Sequence, residues 1–71
     1  MSVRLGDKIM IIGNPINHSM TLDGLTGIVT DIYRNDVRVY VDHPHFEQYP
    51  MWYVQKSDIA YIVERDGERL V

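Results

Sequence analysis

The sequence contains no cysteine and no long hydrophobic run. Without cysteine there can be no disulfide, no thiolate nucleophile and no cysteine-type zinc site. No segment approaches the roughly 18 consecutive apolar residues that a membrane-spanning helix requires. The first residues also lack the apolar core of a secretion signal, because Gly6, Asp7 and Lys8 interrupt it. We therefore expect a cytoplasmic protein with no membrane partner.

Positive charge is in the minority. Seven Lys and Arg residues stand against ten Asp and Glu residues, which gives a formal net charge of −3. Strong nonspecific binding to nucleic acid depends on excess cationic charge, so this balance argues against it. The 71 residues suffice for a single domain, residues 1–71. A chain this short hides only about 60% of its unfolded surface, which leaves no room for a deep catalytic cleft.

Short apolar segments separated by turn residues predict five β-strands. The clearest is residues 37–42, where Val37, Val39 and Val41 alternate with polar or aromatic residues and should face the core. No segment shows sustained apolar spacing of 3.6 residues, so no long helix is expected. The charged residues 64–71 are expected to fray as a C-terminal tail. The other four predicted strands cover residues 8–12, 25–33, 51–54 and 59–63.

Five short strands favour an all-β barrel, because closure removes exposed strand edges. Gly24 and Gly27 flank the beginning of the second strand, where a strand bends sharply to change sheets and a Cβ is unfavourable. Residues 14–24 form a long polar first loop, and loops of this length are often functional. The sequence therefore predicts a small five-stranded barrel over residues 5–63.

Three segments carry a resemblance to a known family. A Gly-Asp pair opens the strand at residues 5–11, Gly24 and Gly27 precede the aliphatic strand that ends at Ile32, and residues 54–59 close with Val-x-x-x-Asp-Ile. In this order the chain resembles the KOW-type, SH3-like small β-barrels. The resemblance covers residues 5–63. It implies an SH3-like barrel with a long first loop, in a family that includes transcription elongation factors and ribosomal proteins, where the barrel contacts RNA or polymerase.

The three histidines raise the possibility of a metal site. His43 and His45 flank Pro44, and His18 lies in the long first loop. A zinc site needs about four ligands at defined distances, and this spacing matches no standard signature. We interpret the histidines as solvent-exposed loop residues. No serine or carboxylate has a catalytic context, so we expect no enzyme activity, no metal and no cofactor.

Aromatic residues are numerous for so small a domain. Tyr40 should point outward if Val39 and Val41 point inward, and Trp52 and Tyr53 must have opposite facings. Rigid aromatics beside arginine are typical of interfaces. The alternative is that these rings cover the open ends of the barrel. The predicted partner-binding residues are Tyr33, Arg34, Arg38, Tyr40, His43, His45 and Trp52, together with the loops at residues 14–24 and 43–50.

Two functions follow from these patterns. The first is a non-catalytic protein-interaction module that acts as a small accessory or regulatory subunit of a larger complex. The alternative is a KOW-type RNA- or DNA-binding, transcription-associated domain, in which the aromatics stack on bases and the arginines contact phosphate. The sequence does not identify the partner or the oligomeric state.

Overall fold

The computed structural model describes residues 2–13 and 20–71. It is all-β, as the sequence predicts, with two 3₁₀ turns at Pro44–Phe46 and Lys56–Asp58. Within these residues no helix is long or apolar enough to cross a membrane. The strands are β1 (Lys8–Ile11), β2 (Thr26–Ile32), β3 (Asp36–Tyr40), β4 (Met51–Gln55), β5 (Ile59–Arg65) and β6 (Glu68–Arg69).

All the strands belong to one antiparallel sheet in the order β4-β3-β2-β1-β5-β6. The prediction of five strands is therefore wrong by one. In the described part of the chain, the hydrogen-bonded order ends at β4 on one side and at β6 on the other, so the ladder does not close into a ring. The predicted removal of strand edges by closure is likewise not found.

The core lies on one face of this sheet. Val37, Val39 and Val41 are all buried, which confirms the predicted facing of β3. They form a single cluster with Val54 of β4 and Ile59 of β5, although these two strands are far apart in the strand order. A single layer can bury residues from such distant strands together only by curling around its own apolar face. The remaining members of the core are Ile9, Ile11, Leu22, Val29 and Phe46.

Gly27 is the position in β2 where the close approach of two strands favours glycine. A Cβ built there would lie 3.1 Å from the Val39 side chain and 3.3 Å from the Tyr40 carbonyl oxygen. Gly24 has a φ of +80°, in the region that L side chains rarely adopt. Both glycines of the predicted corner are therefore needed, Gly24 for its backbone angle and Gly27 for the space it leaves. A register shift between Val29 and Asp31 adds a bulge further along β2.

The C-terminal residues do not form a frayed tail. β5 continues two residues beyond the predicted end at Val63, and β6 pairs with it through Glu64–Arg69 and Arg65–Glu68. The connection is Asp66-Gly67, with φ values of 52° and 79°. Two positive φ angles define a type I′ turn, for which Asp-Gly is one of the preferred sequences. This dipeptide was the local signal for a hairpin where the sequence analysis predicted a tail.

The first loop is held at both ends. The amide of Gly13 donates to the Asp23 carboxylate (2.7 Å), and the Thr21 hydroxyl donates to the Gly13 carbonyl (2.9 Å). Leu22 between them is fully buried in the core. Residues 14–19, including His18, lie outside the described residues. Of the first loop that the sequence predicts to contact a partner, the structure therefore describes only residues 20–24.

Candidate aromatic face

The outward face of β2, β3 and β4 carries large apolar and aromatic side chains. The strand register aligns Ile28, Tyr40 and Met51 in one row across the three strands. Side chains directly opposite each other share a face, and all three are exposed. We call this surface the aromatic face. It comprises Ile28, Tyr33, Arg38, Tyr40, Met51 and Tyr53.

A second row on the aromatic face centres on an ion pair. Arg38 lies opposite Tyr53 on one side and opposite Asp31 on the other. Its Nε is 2.9 Å from Asp31 Oδ2, and both side chains are about 40% exposed. Thr30 donates its hydroxyl to Asp31 (3.0 Å), which fixes the carboxylate. The charge of Arg38 is thus paired with a carboxylate on the same face.

Tyr33 and Tyr53 form an aromatic pair at one edge of this face. Their ring centroids are 5.8 Å apart and the planes are tilted by 44°. Partial desolvation, the Tyr53 phenol and the Asp31 carboxylate together raise the pKa of the Tyr33 hydroxyl from its ordinary value of 10.0. The Tyr33 hydroxyl therefore stays protonated at neutral pH and can donate a hydrogen bond. Tyr53 is the most exposed member of the face, at 60%.

Tyr40 separates two surface depressions. The larger, of about 370 Å³, is lined by Tyr40 together with Asp42, His43, Pro44 and Glu47. The smaller, of about 130 Å³, lies between Tyr40 and Lys8 and includes Ile28. An exposed ring flanked by two concavities can insert between partner side chains while those side chains fill the concavities. Tyr40 is therefore the centre of the candidate site.

The two histidines that the structure describes build a turn. The Nδ1 atom of His43 accepts a hydrogen bond from the His45 amide (3.1 Å) and so caps the 3₁₀ turn. Both imidazoles contact the Phe46 ring edge-on, at centroid distances of 6.2 and 5.2 Å. Among residues 2–13 and 20–71, no group of three or more His, Asp or Glu side chains could hold a metal ion.

The structure brings together some of the seven predicted contact residues and separates others. Tyr33, Arg38 and Tyr40 lie on the aromatic face, and His43 lines the depression beside Tyr40. Arg34 lies at the other end of β3, where Lys56 donates to its carbonyl oxygen (3.0 Å). His45 packs on Phe46, away from Arg34.

Trp52 does not lie on the aromatic face. It pairs with the buried Val39, so its ring points to the core side, where it packs edge-on against Phe46 at 5.7 Å. Trp52 is thus partly buried and separate from the other predicted contact residues, whereas its neighbour Tyr53 is exposed on the aromatic face. Alternation predicted that the two neighbours face opposite ways, but only the register against β3 decides which one is exposed.

A buried ion pair that the sequence analysis missed fixes the ends of the chain. Asp7 is 1% exposed, and its carboxylate accepts bonds from Arg65 Nε (2.9 Å), the second Arg65 nitrogen (2.8 Å) and the Arg4 amide (2.7 Å). Arg65 also donates to the Ser2 carbonyl. The Arg65 bonds outweigh burial and hold the pKa of Asp7 below its ordinary 3.8, and the Asp7 carboxylate raises the pKa of Arg65. This pair is structural and lies apart from the aromatic face.

Comparisons with protein-family models, with curated proteins and with solved structures gave no match. The functional interpretation therefore depends on the geometry and chemistry of the surface itself.

Proposed function

We propose that the chain is an SH3-like β domain that acts as a non-catalytic protein-interaction module, a small accessory subunit docking through the aromatic face. The strand order β4-β3-β2-β1-β5, with a 3₁₀ turn between β4 and β5, supports the SH3-like arrangement. The added β6 hairpin and the open ladder distinguish it from a closed five-stranded barrel.

One observation carries the proposal: four large exposed residues from three adjacent strands share one face. Ile28, Tyr40 and Met51 lie in one row, and Tyr53 with Tyr33 continues the surface. Contiguous exposed apolar surface on a small domain typically marks an interaction site. Tyrosine and arginine are also enriched among the residues that dominate binding energy. A protein partner whose own surface is mainly apolar fits this face.

The face itself favours protein over nucleic acid. A phosphate backbone is bound by unpaired cations, whereas Arg38 on the aromatic face is already paired with Asp31. The formal charge of −3 adds long-range repulsion. The exposed Tyr33–Tyr53 pair beside Arg38 is the feature that supports the alternative, because aromatic rings can stack on bases.

The test of the proposed function is affinity capture with matched surface variants. Tyr40→Ser removes the central ring of the aromatic face, and Tyr61→Ser removes a similarly exposed ring on β5. We expect a protein captured by the wild type and by Tyr61→Ser to be lost with Tyr40→Ser, both variants remaining folded by circular dichroism. Equal capture by the two variants would place the contact elsewhere.

A titration with labelled single- and double-stranded nucleic acid at two salt concentrations distinguishes the proposed protein-interaction function from the nucleic-acid-binding alternative. Binding through phosphates weakens steeply as salt rises. We expect no binding even at low salt. Tight, salt-sensitive binding that Tyr53→Ser weakens would establish the nucleic-acid function instead.

A further inference from the structure

β4 is an edge strand whose outer backbone groups have no partner within the described residues. The bonds from the Val41 amide to the Pro50 carbonyl and from the Lys56 amide to the Asn35 carbonyl (both 2.8 Å) show which residues of β4 face β3. Because hydrogen-bonded positions alternate in an antiparallel ladder, Trp52 and Val54 also bond to β3. The amide and carbonyl groups of Met51, Tyr53 and Gln55 therefore point away from the sheet.

This edge lacks the usual protection against pairing. Natural edge strands are short, twisted by bulges, or carry charged residues. β6, the other edge, has two residues and both are charged. β4 has five residues, none of them charged, and its register against β3 runs without a bulge.

From this pattern we propose that β4 is a homodimer interface, in which two copies of the chain join their sheets by antiparallel pairing of β4 about a two-fold axis at Tyr53. The axis places Tyr53 opposite its own copy and Met51 opposite Gln55 of the partner subunit. The two-fold axis also places Gln55 opposite Met51 of the partner subunit, which makes three pairs. The two residues of each pair exchange two backbone hydrogen bonds. Every outward amide and carbonyl of Met51, Tyr53 and Gln55 is then satisfied.

A second copy fits this edge for two reasons. When one copy is rotated by 180° onto the other, each outward amide of the strand meets an outward carbonyl of the second copy. Two-fold rotation is also the commonest symmetry of protein dimers. No like charges meet, because the paired strands are uncharged even though each chain carries −3. The strand begins at Met51 and gives way to the 3₁₀ turn at Lys56, which limits the ladder on either side.

The dimer also extends the exposed surface. The side chains of Met51, Tyr53 and Gln55 lie on the outward side of β4, so pairing brings two Tyr53 rings together on one face. Each ring already contacts Tyr33, and the two aromatic faces become continuous. Met51 and Tyr53 belong to both surfaces, but Tyr40, the centre of the proposed docking site, lies on the inner strand β3, so the two proposals can fail separately.

Sedimentation equilibrium over a roughly hundredfold range of protein concentration tests the proposal. We expect the mass to rise from 8.3 kDa towards twice that value. Tyr53→Lys places two like charges across the axis and is expected to leave only monomer, whereas Tyr61→Lys, an exposed control on β5, still dimerises. Gln55→Lys serves as the second variant if Tyr53→Lys does not fold.

Hydrogen exchange read at single residues identifies the interface. In the dimer the amides of Met51, Tyr53 and Gln55 gain protection as concentration rises, while those of Trp52 and Val54 are protected at all concentrations. A monomer at every concentration, a dimer that survives Tyr53→Lys and Gln55→Lys, or protection without this alternation would each overturn the proposal. The Tyr40→Ser variant should dimerise like the wild type, which separates failure of this proposal from failure of partner docking.

Discussion

Asp7 is a charged residue that is buried together with ten hydrophobic side chains in the described part of the chain. An isolated ionised carboxylate inside a protein is strongly unfavourable, and it is tolerated here because three donors converge on it. Two of the donors belong to Arg65, 58 positions away along the chain. The pair therefore ties the first turn to the last long strand.

The contribution of the pair is testable by removing one charge. Asp7→Asn leaves the Arg65 guanidinium without its anion, and we expect it to lower the free energy of unfolding by about 3 kcal/mol. This is the low end for a broken buried pair, because the Arg65 side chain is 20% exposed. A domain of this length has only roughly 4–10 kcal/mol in total. Urea denaturation measures the loss.

Asp31→Asn is the matched control for this prediction. It breaks the other ion pair, Asp31–Arg38, in which both partners are about 40% exposed. Exposed pairs contribute at most about 1 kcal/mol. If the two variants lost equal stability, burial of Asp7 would not be what makes its pair important.

The lowered pKa of Asp7 predicts that the free energy of unfolding decreases at acid pH. The folded-state pKa lies below the unfolded value of about 3.8, so the unfolded chain binds the proton more readily. The stabilisation is complete above that value and is lost as pH falls through the folded pKa. We expect the wild type to lose more stability than Asp7→Asn between about pH 5 and pH 2. Parallel stability curves for the two proteins over that range would contradict the assignment.

For some residues the sequence alone predicts which side of the sheet the side chain faces, and for others it does not. The burial of Val37, Val39 and Val41 follows from period-two alternation alone. Trp52 and Tyr53 alternate equally well, but only the register against β3 places Tyr53 outside. The Asp7–Arg65 contact has no local signal, because it depends on where two distant segments meet in the sheet.

At the scale of elements, β2 and β3 approach each other so closely at Gly27 that a side chain there would crowd its neighbour. A Cβ at this position would lie 3.1 Å from the Val39 side chain, so Val39 would have to shift by a few tenths of an ångström to admit a methyl group. The sequence analysis predicted that Gly27 is needed but explained it by a bend. The cross-strand contact with Val39 is the reason that the structure gives.

A double-mutant cycle measures this contact. Gly27→Ala alone overpacks the site, and we expect a loss of about 1–3 kcal/mol of stability. Val39→Ala alone leaves a cavity and is expected to cost about 2 kcal/mol. In the double variant the new methyl group occupies part of that cavity. The stability loss of the double variant should therefore be smaller than the sum of the losses of the two single variants. Strict additivity in thermal or urea unfolding would show that the Val39 side chain is not what limits the size of residue 27.

At the scale of the whole molecule, the single sheet must both enclose a core and remain open at two edges. The β5–β6 hairpin covers one edge with a short charged strand, and Arg65 at its base bonds to Asp7 and to the Ser2 carbonyl. The N-terminal and C-terminal segments thus stabilise each other. The sequence analysis predicted a tail because residues 64–71 have the composition of one. Asp66-Gly67 was a local signal for the hairpin, but the contact of Arg65 with a carboxylate 58 positions away had none.

Two truncations separate the roles of the hairpin and of Arg65. Ending the chain at Asp66 removes β6 and the bond from the Leu70 amide to the Val63 carbonyl, but it keeps Arg65 on Asp7. Ending it at Val63 removes Arg65 as well and leaves the Asp7 carboxylate with the Arg4 amide. We expect the first truncation to remain folded with a modest loss of stability. The second should lose about 3 kcal/mol more, since a buried charge is left without its partner.

Thermal unfolding followed by circular dichroism distinguishes the two truncations. Equal melting temperatures would show that the ion pair contributes nothing, and unfolding of both would assign the stability to β6.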